Sequence, residues 1–161
     1  MKINKILCPI DFSEHNQIAN KYASILASST GAEIIYFHVT VPEAPYGAYG
    51  NIDPSDIMAK DMQRLRKVVP SVAGVSATWE VDFGPTAKRI VQFSNEHAVD
   101  LIVVVTHVRS GIDRGLMGSV AEAVVRKAKC RVLAIKPQAS AFEPNAVPME
   151  SEVLNSGGES S

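Results

Sequence analysis

No apolar run in the 161 residues approaches the roughly 20 consecutive positions that a membrane-spanning helix needs. Cysteine is nearly absent. Cys8 and Cys130 lie in or beside separate apolar stretches and form no CxxC pair, so two buried free thiols are expected rather than a disulfide framework or a metal site. An excess of one charge is missing too: 16 basic against 17 acidic residues leave a net charge of −1. That balance points to neither nucleic acid nor an acidic membrane as partner. The phosphate-loop pattern GxxxxGK[ST] does not occur. His38 and His107 belong to no serine-histidine-acid set or metal-type cluster by spacing, and are expected to be ordinary strand-end and loop residues. The opening MKINKILCPIDFS enters a strand-like run with no secretory pattern before it, so a cytoplasmic location is expected.

One stretch lacks cations altogether. From Pro137 onward the charged residues are Glu143, Glu150, Glu152 and Glu159, which leaves the first 136 residues at +3. A mildly basic body suits an anionic small ligand. Residues 137–161 show no helical or strand period and are expected to be a flexible acidic tail. Residues 1–136 then form the domain, with no internal repeat.

What is present is an alternation. At 46% hydrophobic and 20% charged, the composition is that of an ordinary globular domain with a sizeable core. Residues 3–10 predict a first strand. Ser13 is expected to cap a helix over residues 14–29, with Ile18, Tyr22, Ile25 and Leu26 as its buried face and Gly31 as its stop. Residues 33–39 (EIIYFHV) suit a strand covered on both sides. Pro42, Pro45, Gly47 and Gly50 break a loop, and Asp53-Pro54 opens a second helix. Ile57, Met58, Leu65 and Val68 should face inward there, with Pro70 marking the end. Residues 75–81 alternate and predict a near-edge strand. Gly84-Pro85 opens a third helix to about His97, with Ile90 and Phe93 inward. Residues 101–105 and 131–136 predict two more strands, on either side of a helix starting at Gly118-Ser119.

Strict strand-helix alternation predicts an α/β fold: an open, five-stranded parallel sheet with helices on both faces, Rossmann-like. Ligands in such sheets sit beyond the carboxyl ends of the strands, where the strand order reverses. The segments in that position are residues 9–13, those after Val39, and 106–119.

Four pieces of the chain resemble the universal stress protein family: KILCPIDFSE, the pair His38-Val39, GPTAKRIVQFSNEHAVDLIVV, and THVRSGIDRGLMGSVAEAVVRKAKCRVLAIK. The likeness covers about residues 2–136. Nucleotide-binding members carry G-x-x-G-x(9)-G-[S/T] in the last stretch. Aligned here, its first two glycines fall on Val105 and Val108, and its last pair on Gly118 and Ser119. The resemblance implies the nucleotide α-hydrolase type of fold. It also implies a site for ATP or AMP, with adenine near Pro9, Ile10, Asp11 and Val39 and phosphates near Thr106, Arg109, Gly118, Ser119 and Val120. A homodimer paired through the last strand is implied as well (Val132, Leu133, Ala134 and Ile135).

Several of these residues admit two readings. Asp11 can accept a hydrogen bond from an adenine amino group or a ribose hydroxyl, or it can simply build the turn before the first helix. Gly118 and Ser119 can offer helix N-terminal N–H groups to a phosphate, or Ser119 and Glu122 can close a capping box that uses those donors. Val105 and Val108 obstruct: a β-branched residue disfavours positive φ and fills space near the phosphates. Arg109 and Arg114 can offset that by pairing with phosphate, or stay solvated.

The function expected is that of a stress-response binding and regulatory homodimer. Its adenine-nucleotide site would be weakened at the phosphates, and it would have at most a very weak ATPase activity. The alternative is a ligand-free dimeric interaction module that does not bind ATP, with Phe142, Val147, Met149, Val153 and Leu154 of the tail available to a protein partner. A phosphoryl-transferring enzyme is disfavoured, since Asp113 is the sole acid of the loop before Gly118.

Overall fold

The computed structural model describes residues 2–41, 53–106 and 118–137. The readings made above for Pro42, Pro45, Gly47, Gly50, His107, Val108, Arg109, Asp113, Arg114 and the tail lie outside the described residues. Nine elements alternate: β1 (Lys5–Pro9), α1 (Asn16–Thr30), β2 (Glu33–Thr40), α2 (Pro54–Leu65), β3 (Ala77–Phe83), α3 (Thr86–Glu96), β4 (Leu101–Val105), α4 (Ser119–Lys127) and β5 (Arg131–Ile135). All strand pairs are parallel and the order is β3-β2-β1-β4-β5. The expected fold class is what the molecule adopts, with β3 at an edge as its alternating pattern implied.

Alternation along the strands sorts the core into two layers. Ile6, Cys8, Ile34, Tyr36, Leu101 and Val103 face one side, against Ala19, Ala23 and Ala27 of α1 and Leu65 of α2. Leu7, Ile35, Phe37, Val39, Ile102 and Val104 face the other, against Ile90 and Phe93 of α3 and Ala121 and Val124 of α4. Cys8 is wholly buried, and burial pushes its thiol up to about 12. Cys130 is free as expected but only half-buried.

Three local expectations change. Ser13 does not cap α1: the helix begins at Asn16, with His15 in the cap position and no side-chain cap bond. The Asp11 carboxylate takes the Ser13 N–H at 2.9 Å, and Phe12 at φ 62° turns the chain out of helical geometry before the helix can start there. The deepest face of α1 is the alanine row 19, 23, 27 rather than Ile18, Tyr22 and Leu26, which pack around its margin. Small side chains let the helix lie close to the sheet, and larger ones fill the flanks. The second helix starts as expected, Asp53 Oδ1 accepting the Ser55 N–H at 2.9 Å, but stops at Leu65, well before Pro70.

Asp100 ties the amino ends of β1 and β4 together. Its Oδ2 accepts the N–H groups of Asn4 (2.8 Å) and Lys5 (3.0 Å). Those two bonds hold its carboxyl below the usual carboxylate range. A carboxylate whose pKa falls on folding contributes stability above its unfolded value, near pH 4, and loses it as pH drops through the lower folded value. Asp100→Asn should therefore lower Tm at pH 7, by a penalty under about 1 kcal/mol because solvent screens the site. The gap from wild type should close as the pH falls below that lowered folded value. Thermal melts across that range check this, and a gap unchanged in acid would show that the charge is not responsible.

Candidate functional site

The strand order runs outward from β1 in both directions, so the sheet reverses between β1 and β4. The helices that follow these two strands pack on opposite faces, α1 in one core layer and α4 in the other, so this reversal is the place where such sheets take ligands. Pro9, Ile10 and Asp11 lie at the β1 side of it and Thr106 at the β4 side. Each strand end is pinned. Ile10 N–H donates to the Phe37 carbonyl at 2.8 Å, and Thr106 N–H donates to the Ile135 carbonyl at 2.8 Å. The Thr106 hydroxyl, also buried, donates to that same carbonyl at 3.2 Å.

The turn after β1 is built from side chains. Besides the Asp11–Ser13 bond, Asn16 Oδ1 accepts the Asp11 N–H at 3.3 Å. The turn-building reading of Asp11 is thus realised. Ser13 Oγ and Asn16 Nδ2 are buried and have no hydrogen-bond partner among the described residues. Buried polar atoms in native proteins nearly always have partners, so an orphan pair at a sheet reversal invites a ligand or water.

At the other wall, α4 departs from expectation. Gly118 occupies the cap position with extended backbone (φ −58°, ψ 147°), and no side chain caps the helix. Ser119 is already inside the first turn, so the Ser119–Glu122 capping box does not form. Glu122 donates its N–H to the Gly118 carbonyl at 2.9 Å, and its carboxylate pairs instead with Arg126 one turn on. The first N–H groups of α4 keep their capacity to meet an acceptor. Ser119 and Val120 are exposed, Val120 at 38%.

Val105 ends β4 opposite Ile135, half-buried against the core. Among the described residues the left-handed non-glycine positions are Phe12 and Ala98, so Val105 has ordinary strand backbone. The conformational objection to valine there falls away, and only its bulk remains.

Val39 is buried in β2, on the α3 side of the sheet. Beside it lies a cluster that the sequence did not announce. His38 Nδ1–H donates to the Ile10 carbonyl at 2.7 Å, and His38 Nε2 lies 3.3 Å from Asp61 Oδ2. Thr40 Oγ1–H donates to the same carboxylate oxygen at 2.6 Å. The Arg64 guanidinium reaches Asp61 Oδ1 at 3.8 Å and lies over the Phe12 ring, 4.0 Å from its centre. His38 is therefore not the ordinary strand-end residue expected. Its clue was Asp61, which shares the inward face of α2 with Ile57 and Leu65 at four-residue spacing.

Among the described residues no group of three His, Cys, Asp or Glu is placed to hold a metal, and no helix is long and apolar enough to cross a membrane.

Comparison with known proteins gives a consistent answer. The model of the universal stress protein family matches residues 2–136. A universal stress protein of Methanocaldococcus jannaschii is 34% identical over 141 residues, covering 82% of this chain and 81% of that relative. Among solved structures, that of a second universal stress protein from the same organism is 26% identical with a TM-score of 0.67, covering 84% of this chain and 97% of the other. The structure of an Archaeoglobus fulgidus universal stress protein in complex with dAMP superposes with a TM-score of 0.54 at 21% identity, covering 84% of this chain and all of the other (100%).

Proposed function

The chain belongs to the universal stress protein family, and on that premise we propose that it is a cytoplasmic stress-response regulator that works by binding, as a homodimer with an adenine-nucleotide site weakened at its phosphate end. Adenosine would lie at the carboxyl end of β1, against Pro9, Ile10, Asp11 and Val39. Phosphate would lie toward Thr106, Arg109, Gly118, Ser119 and Val120. The observation that carries this is the pair of buried, unpartnered atoms, Ser13 Oγ and Asn16 Nδ2, at the sheet reversal. The uncapped start of α4 supports it from the opposite wall. The dAMP held by the Archaeoglobus relative makes a monophosphate the natural first ligand.

Val105 argues for a short phosphate chain. Its isopropyl group stands at the end of β4, where a glycine would leave room for a longer one. AMP should therefore bind, and ATP should bind no more tightly than AMP, with no catalytic turnover of consequence. Titration calorimetry with each at up to millimolar concentration tests this. Silence with both would remove the nucleotide and leave the second reading, a ligand-free interaction module, which the core packing of Val105 favours.

The dimer is proposed through β5. Both β3 and β5 are sheet edges. On β3 the exposed Glu80 guards the edge, whereas Val132, Leu133 and Ala134 leave β5 apolar and half-buried.

A further inference from the structure

We propose that His38 is a positioning residue for the nucleotide-bearing turn, holding Ile10 and Phe12 in place from β2 and anchored in turn by Asp61 of α2. This rests on the nucleotide reading given above and adds a residue and a coupling to it. The starting point is strain. Phe12 sits at φ 62°, a left-handed backbone that a bulky side chain keeps only when its surroundings hold it there. Two groups do so. The imidazole of His38 packs on the Phe12 ring with centroids 4.4 Å apart, and the Arg64 guanidinium covers it at 4.0 Å. The residue two positions earlier is held by the same imidazole, since His38 Nδ1–H donates to the Ile10 carbonyl at 2.7 Å.

Asp11 lies between these two clamped residues; the Ser13 N–H orients its carboxylate within the turn, and the turn as a whole stands where His38 holds it. His38 is itself fixed. Asp61 meets its Nε2 at 3.3 Å and is braced by the Thr40 hydroxyl at 2.6 Å. The side chains of His38 and Asp61 are only 12% and 13% exposed, so little water competes for these contacts. A ligand that presses on Asp11 therefore presses, through Ile10, Phe12 and His38, on α2. Linkage makes the converse hold: whatever displaces α2 changes affinity at the turn.

Two partial mimics of histidine separate this from simple packing. His38→Asn places an amide nitrogen near the Nδ1 position and retains the donor to Ile10. His38→Gln places one near Nε2 and retains only the link to Asp61. Both lose the ring, so both should lose similar thermal stability. His38→Asn should keep AMP affinity within about threefold of wild type, and His38→Gln should weaken it about tenfold. Hydrogen exchange of the Phe12 and Ser13 amides, measured without nucleotide, should rise about tenfold in the Gln variant and much less in the Asn variant. Equal behaviour of the two, or the reverse order, overturns the proposal. If wild type binds no AMP, the nucleotide reading fails, and the exchange measurement still decides whether His38 positions the turn. Should either variant fail to fold, Asp61→Asn removes the charge that meets both His38 and Arg64, the two groups packed on Phe12. It should raise the same exchange about threefold, and no change would overturn the proposal as well.

Discussion

Ala134→Pro is expected to yield a folded monomer in place of the proposed dimer. The Ile135 carbonyl points toward β4, where it accepts from Thr106. Backbone groups alternate along a strand, so those of Val132 and Ala134 point outward from the sheet edge. Proline at 134 removes the outward N–H and adds ring bulk where a second strand would lie. Within a single subunit the change costs no ladder bond, because proline is tolerated where an edge N–H faces solvent. In a two-fold dimer each such loss counts twice. Two bonds of about 1 kcal/mol, with the added steric clash, should raise the dissociation constant at least about 100-fold. Sedimentation or light scattering over a concentration series reads this directly. A variant that stays dimeric at micromolar concentration would move the interface away from β5.

The second large effect is a gain. Val105→Gly combined with Val108→Gly restores the two glycines of the family's nucleotide pattern. ATP affinity should rise tenfold or more, about 1.4 kcal/mol, while AMP affinity changes little, because in the proposed site only the longer phosphate chain would meet these two positions. Stability should move the other way. Val105 is half-buried against the core and paired with Ile135, so glycine there removes packing and frees the unfolded backbone. A loss of about 2 kcal/mol is expected from that position. Better binding by a less stable protein is a specific signature. Calorimetry and thermal melts on the same samples test both halves, and an unchanged ATP affinity would clear the valines of blocking the site.

The architecture was largely legible in the residues. Leu101–Val105 and Pro54–Leu65 begin where apolar runs and an Asp-Pro pair said they should, because strand period and helix capping are encoded locally. Helix starts were less legible where two local signals competed. Ser13 reads as a cap, yet Asp11 two residues earlier captures its N–H. Ser119 and Glu122 spell a capping box, yet Gly118 takes the cap position and Arg126 draws the glutamate away. In both cases the sequence offers two competing local hydrogen-bonding solutions, and a neighbouring polar group takes the donor or acceptor that the expected cap would have used.

The candidate site divides the same way. Family likeness brought Asp11, Thr106 and Gly118 into view, but nothing in the chain's order couples His38 to Asp61, 23 residues apart by number. By itself the sequence determined the element order, the two apolar faces of the sheet and the family, since each depends on periodicity or on short contiguous motifs. The tertiary structure alone decided where the strand order reverses, which unpaired edge is apolar, and that a carboxylate from α2 stands behind the histidine of β2. Those are contacts between residues far apart in the chain, and they arise only when parallel strands settle side by side and the helices close over them.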